Sequence, residues 1–273
     1  MTKGTYRILT GATLIALVGV LLWLHLLTPG DWRGIVIWSA ALALSVIGAA
    51  EVARMEGYRE HGLLPALALA AVVVGGVTWL YRAELASPRM PWLVWVAGAV
   101  LATSVAAAVS PRSRGKAAGF ALWATVPLFG LLAVDRTWGI GGLAVLILLS
   151  KVGDVFGYFV GKAIGRRRPF PVLSPNKTVA GCVASLVAGT GTGVLLGALG
   201  GLPNQAGPVA GAIVGLILNL VAQAADLFES KVKRLGRVKD SGTLCAAAGG
   251  VLDVVDSLLF TVPVALLLWP LLF

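Results

Sequence analysis

Apolar residues in this chain do not alternate with polar ones; they run in long blocks broken by short polar segments. The blocks predict helices over about 6–28, 34–52, 63–81, 91–110, 117–134, 140–161, 179–201, 207–228 and 254–272. Most come close to the roughly 20 residues that an α-helix needs to cross a hydrocarbon core. The expected fold class is therefore all-α, a polytopic membrane protein with about nine transmembrane helices. Residues 1–135 read as a transmembrane scaffold and 136–273 as the region that carries chemistry, both within one integral membrane unit. The first block, from Tyr6, shows no small-residue cleavage site and reads as a retained span rather than a signal peptide. Composition agrees with the pattern: 58% of 273 residues are hydrophobic, 12% are charged, and mean hydropathy is +0.90.

A net charge of +10 would suggest nucleic acid as the partner of a soluble protein. Here the distribution excludes that partner, because Lys and Arg fall in short loops between apolar blocks. With Lys151 set aside inside a block, nearly all lie on the side that carries the N-terminus; Arg33, Arg82, Arg89 and Arg136 are the exceptions. The positive-inside rule then places the N-terminus and the polar loops of the second half in the cytoplasm, and the C-terminus outside. Trp and Tyr near block ends, such as Trp32, Trp79, Tyr81 and Trp92, fit interfacial belts.

The chemistry-bearing residues lie in the second half. In the block ending near 228, Asn219, Gln223 and Asp226 stand four and three apart, which puts them on one helix face. Five basic residues follow (Lys231, Lys233, Arg234, Arg237 and Lys239), and Asp253 and Asp256 open the last block. Carboxylates at membrane depth are costly and face a cavity, a metal or a partner. Acids and bases packed this closely suggest a divalent metal and a polyphosphate. Upstream, Ser174-Pro175 makes a turn into a helix starting near Thr178, where free backbone N–H groups and Lys177 could converge on phosphate. The competing reading of this loop, with Arg166, Arg167 and Arg168, is a basic segment that only sets topology. Lys151 and Asp154 share a face and fit either an internal ion pair or a role in the site.

These segments together resemble the phosphatidate cytidylyltransferases (CDP-diacylglycerol synthases). That family's C-terminal signature runs Gln-x-Gly-Asp-Leu-x-Glu-Ser, then Ser-x-x-Lys-Arg, Lys-Asp and Gly-Gly-x-x-Asp-Arg-x-Asp. Gln223, Asp226, Leu227, Glu229, Ser230, Lys233, Arg234, Lys239, Asp240, Gly249, Gly250, Asp253 and Asp256 match it at the same spacing. Ser174, Pro175, Lys177, Thr178 and Gly181 are similar to its Ser-Pro-x-Lys-Thr-x-Glu-Gly, and Asp154, Tyr158, Phe159 and Gly161 to its Asp-Thr-x-Ala-Tyr-Phe-x-Gly. The chain departs from the pattern at Ala180 (Glu), Ala225 (Gly), Ala246-Ala247-Ala248 (Pro-Gly-His) and Val254 (Arg).

The resemblance implies that CTP and phosphatidate give CDP-diacylglycerol and pyrophosphate, with Mg²⁺ or another divalent cation as cofactor. It implies Asp226 and Asp253 as first-choice metal ligands, with Asp256 as a second ligand or orienter. Lys233, Arg234, Lys239 and Asp240 join them as catalytic residues, and Ser174, Lys177, Thr178, Gln223 and Ser230 as substrate-binding ones. Glu229 is alternatively the i,i+4 partner of Lys233. The expected partners are CTP, phosphatidate or a similar lipid phosphate, the membrane lipid bilayer and, as an admissible assembly, a homodimer. The expected location is a bacterial cytoplasmic (inner) membrane with the active site facing the cytoplasm. Two alternatives stay open: a relative acting on another lipid phosphate, and a silent or transport protein on the same fold.

The remaining polar residues carry bland readings. Glu51 reads as an interfacial carboxylate near Arg54. Cys182 and Cys245 form no metal or redox motif and read as packing residues. His25 and His61 read as isolated. No phosphate-binding loop of the Walker type and no dinucleotide fingerprint occurs.

Overall fold

The computed structural model describes residues 3–28, 34–55, 115–245 and 249–273, and among these it is helical throughout, with no strand. The helices are α1 (Lys3–Leu27), α2 (Ile35–Met55), α3 (Gly115–Ile164), α4 (Val179–Ala198), α5 (Pro208–Leu235), α6 (Leu252–Val255) and α7 (Leu258–Leu272), with a 3₁₀ turn at Pro203–Gln205. Among the described residues, five stretches are long and apolar enough to cross a membrane: Leu9–Leu27, Pro127–Ile164, Val179–Ala198, Pro208–Leu235 and Leu252–Leu272. A shorter apolar helix covers Ile35–Gly48. The expected spans over 63–81 and 91–110 lie outside the described residues. Those over 117–134 and 140–161 fall in α3, which is broken at Gly139 (φ 66°, ψ −172°). A glycine tolerates this backbone where a side chain would be strained, so the helix changes course where the sequence suggested a loop.

The chain divides into two compact units, Met1–Ile140 with Leu235–Val255, and Gly141–Arg234 with Asp256–Phe273. In the first, α2 meets α1 and the short α6. Ile37, Ala41, Leu128, Leu132, Val134 and Leu252 are buried there. His25 is not isolated: it is buried, and its Nε2 lies 3.1 Å from Oδ1 of the part-buried Asp135. A partner 110 residues away is a product of the fold, which local spacing does not reveal.

In the second unit, lipid tails are as apolar as leucine, so helix association depends on close packing and interhelical hydrogen bonds. Glycine supplies the closeness. A Cβ at Gly193 of α4 would run into the carbonyl of Gly211 on α5, and the converse holds for Gly211. Gly157 of α3 is similarly close to Gly181 of α4. Polar bonds hold the contacts in register: Ser150 Oγ meets Thr261 Oγ1 at 2.8 Å between α3 and α7, and Ser185 Oγ donates to Asn219 Oδ1 at 3.1 Å between α4 and α5. Leu146, Leu149, Leu218, Leu259, Val262 and Trp269 fill the buried interior.

Candidate active site

The turn before α4 sets the first part of the site. Thr178 is the N-cap, with extended backbone (φ −118°, ψ 152°), and its hydroxyl accepts from the N–H of Gly181 at 3.2 Å. That bond satisfies one of the amides a helix start leaves open. Ser174 and Lys177 close the preceding turn, Lys177 N donating to Ser174 O at 3.1 Å. Gly161 of α3 and Gly165 just beyond its end leave room for Thr178, since a Cβ at either would meet its side chain.

The turn aims Lys177 at α5. Its Nζ lies 2.6 Å from Asp226 Oδ2 and donates to the carbonyl of Gln223 at 3.2 Å. Gln223 Nε2 donates to the Cys182 carbonyl at 3.2 Å and to Asn219 Oδ1 at 2.9 Å. Asn219, Gln223 and Asp226 thus turn one polar stripe of α5 toward α4 and its leading turn. Asn219 is 1% exposed, and its amide group occupies space that Gly153 and Gly189 leave open.

Two more acids stand beside Asp226. One oxygen from each of Asp226, Glu229 and Asp256 lies within 4.8 Å of the other two. Each also pairs with a different lysine: Glu229 with Lys233 at 2.8 Å, Asp256 with Lys151 at 3.0 Å, and Asp226 with Lys177. Asp256 Oδ1 also accepts from its neighbour's amide, Ser257 N, at 2.6 Å. Lys151 reaches Asp154 too, at 3.9 Å, although Asp154 is close to half exposed. Like charges this near one another disfavour ionisation unless counter-charges accompany them, and the three lysines provide these. Three hard carboxylate oxygens suit a hard divalent cation such as magnesium better than a zinc-type site of sulfur and nitrogen ligands. Lysine ammonium groups suit phosphate. Such a constellation can hold a cation and a polyphosphate together.

Glu229 makes the i,i+4 pair with Lys233 that its spacing allowed, and it also stands in the acid cluster. Ser230 is buried on α5, and Arg234 is exposed near its end. Asp253, Lys239 and Asp240 belong to the first unit, where Lys239 and Asp240 are exposed. Asp253 Oδ2 accepts from Gly250 N at 2.7 Å, Ser241 N at 2.9 Å and Ser241 Oγ at 3.0 Å. Ser241 Oγ also reaches Glu51 Oε2 at 2.7 Å.

Glu51 departs from its bland reading. It is 2% exposed and accepts from Val251 N and Leu252 N at 2.9 Å each, so it faces the interior of its unit. Burial, and then the charges of Glu51 and Asp253, push the Cys245 thiol up from its ordinary value, which keeps it protonated and poorly nucleophilic at neutral pH. Lys151 makes the pair with Asp154 that the sequence allowed and a closer one with Asp256, which lies too far along the chain for spacing to reveal.

Comparison with known proteins identifies relatives of this chain. A phosphatidate cytidylyltransferase of Chlamydia muridarum is 39% identical over 165 residues, covering 56% of this chain and 53% of the relative. One of Helicobacter pylori (strain J99) is 36% identical over 141 residues, 51% of each chain. One of Chlamydia pneumoniae is 30% identical over 194 residues, 65% of this chain and 62% of the relative. The chain spans about half the length of the curated relatives it matches first. Residues 5–272 match the family described as Cytidylyltransferase family. A match of that length takes in every helix that carries the lysine–carboxylate site, and the chain belongs to the cytidylyltransferase family.

Proposed function

We propose that the protein is a membrane cytidylyltransferase that converts CTP and phosphatidate to CDP-diacylglycerol and pyrophosphate. The observation that carries this reading is the 2.6 Å pairing of Lys177 with Asp226, which joins a phosphate-suited turn to an acid cluster 49 residues away. A phosphate oxygen of phosphatidate attacks the α-phosphorus of CTP and forms a new P–O bond. The bond from the α-phosphorus to the bridging oxygen breaks, and pyrophosphate leaves with the electron pair. The nucleophile is already an anion, so the residues need only align two charged reactants and offset their repulsion.

Asp226, Glu229 and Asp256 would hold a divalent cation in this scheme, which would supply Lewis-acid neutralisation of phosphate charge. Lys177, Lys233 and Lys151 exchange their carboxylate partners for phosphate oxygens as substrates arrive. Ser174, Thr178 and Gln223 shape the turn and the α5 stripe that present Lys177 and Asp226. Asp253, Arg234, Lys239 and Asp240 enter through the signature they match. The purified protein with magnesium should release pyrophosphate only when CTP and phosphatidate are both present. Absence of turnover with phosphatidate and with other lipid phosphates would sink the reading.

The bias of the basic loops supports a site on the cytoplasmic side of an inner membrane, where cytosolic CTP is available. With Cys182 and Cys245 replaced by Ala, single cysteines at the exposed Arg167 and Lys239 should react with an impermeant thiol reagent from that side alone. Lys239 is the better second position, because Arg237 has a left-handed backbone (φ 55°) that disfavours cysteine. Labelling of either from outside would reverse the orientation.

A further inference from the structure

The turn carrying Asp253 is fastened to a helix nearly two hundred residues away. Glu51, on α2, accepts from Ser241 Oγ at 2.7 Å and from Val251 N and Leu252 N at 2.9 Å each. The two amides stand at the start of α6, where a helix has no internal acceptors for its first N–H groups. Among the described residues these hydrogen-bond donors are all neutral. A carboxylate only 2% exposed has given up its water and depends on the hydrogen bonds that replace it, here from a hydroxyl and two amides. An apolar residue here would leave those two amides and the hydroxyl without their acceptor, so what the glutamate contributes is its bonds to this turn.

The surroundings are shaped to admit it. A Cβ at Gly242 would lie 2.5 Å from Glu51 Oε1, and one at Gly250 would run into Glu51 and Ser241. Gly249 has φ 91°, and a side chain there would collide with Asp253. These three glycines therefore leave space for two carboxylates and the hydroxyl between them. Ser241 Oγ lies within hydrogen-bond distance of both, 2.7 Å from Glu51 Oε2 and 3.0 Å from Asp253 Oδ2. It has one proton to donate, so the two acids are linked through a single group. Asp253 Oδ2 takes two further bonds from the same turn, from Ser241 N and Gly250 N. Displacing Glu51 would release Val251 and Leu252 and shift both ends of the network that holds Asp253.

We infer that Glu51 is a positioning residue for Asp253: it fixes the Gly249–Asp253 turn through Ser241 and the two amides, and so sets how Asp253 is presented for the reaction. This inference rests on the cytidylyltransferase reading and on the metal-ligand role that the family signature implies for Asp253. Glutamine keeps the size of Glu51 but places an NH₂ donor among donors, so Glu51→Gln should break the latch without leaving a cavity. Turnover of CTP and phosphatidate should fall about 10-fold, and the magnesium concentration giving half-maximal turnover should rise, as for other residues that orient functional ligands. Ser241→Ala keeps the amide bonds of Glu51 and should show the same change in smaller degree, which serves if Glu51→Gln folds poorly.

The deciding measurement is the double variant. If Glu51 acts through Asp253, adding Glu51→Gln to Asp253→Asn should cost no further turnover. Multiplying losses, or single Glu51→Gln and Ser241→Ala enzymes with wild-type turnover and magnesium dependence, would overturn the assignment. Wild-type protein that turns over no CTP would overturn the functional reading itself. Active wild type with an indifferent Glu51→Gln variant would overturn only the role of Glu51.

Discussion

Replacing Asp226 by Asn should reduce magnesium-dependent turnover of CTP and phosphatidate about 100-fold or more, with the protein still folded and inserted. Asn keeps the shape of the side chain and removes the charge that a hard cation requires. Loss of one group positioned for transition-state charge costs on the order of 100- to 1,000-fold in comparable active sites. Folding should suffer little. The Lys177–Asp226 pair is partly open to solvent, at 17% and 36% of the side chains, and pairs of that kind contribute about 0–1 kcal/mol. Asp256→Asn should behave alike in turnover, because Asp256 belongs to the same trio of close carboxylates. If the trio serves one cation, the double variant should lose little beyond either single one. Turnover and the magnesium concentration for half-maximal rate, measured on each variant, decide the matter. Normal turnover in both single variants would remove the trio from the reaction.

The parts of this fold legible in the sequence are those that depend on short-range spacing. The 3.6-residue period puts Asn219, Gln223 and Asp226 on one face of α5, and that face does turn toward α4. Ser174-Pro175 followed by Thr178 announces a helix start, and Thr178 is its N-cap. The glycines at 189, 193 and 197 suggest close helix packing, and α5 approaches there. Spacing says nothing, however, about which distant residue supplies a counter-charge or an acceptor. Hence the distant partners of His25, Lys151 and Glu51, more than 100 residues away in each case, could not be named beforehand, whereas the i,i+3 pair of Lys151 with Asp154 could. Glu51 was the hardest to see, because it sits near a basic residue at a block end, where a solvated carboxylate is the ordinary outcome. The acid trio was partly visible. The signature supplied Asp226 and Asp256, but it ranked Asp253 ahead of Glu229, whose i,i+4 spacing to Lys233 already explained its presence.

Lys177 gives the second large expected effect, and it separates a working loop from one that only orients the protein. Lys177→Ala should lower kcat/KM for CTP about 10- to 100-fold, since a hydrogen bond to a charged group is worth about 1.5–3 kcal/mol and each 1.4 kcal/mol is tenfold. Arg112→Ala removes one positive charge from another loop assigned by sequence to the same side and should leave that ratio unchanged. Orientation depends on summed charge, whereas a phosphate contact depends on where one ammonium group stands. Its position here is narrowly set: the Ser174 turn and the Thr178 cap fix the backbone, and Asp226 and the Gln223 carbonyl hold Nζ. Lys177→Arg should therefore recover little, because a planar guanidinium cannot replace a compact ammonium at the end of a constrained stem. Nucleotide affinity measured without lipid substrate separates binding from chemistry. Equal affinity and equal kcat/KM for the Lys177→Ala and Arg112→Ala proteins would return residues 166–178 to a purely topological role.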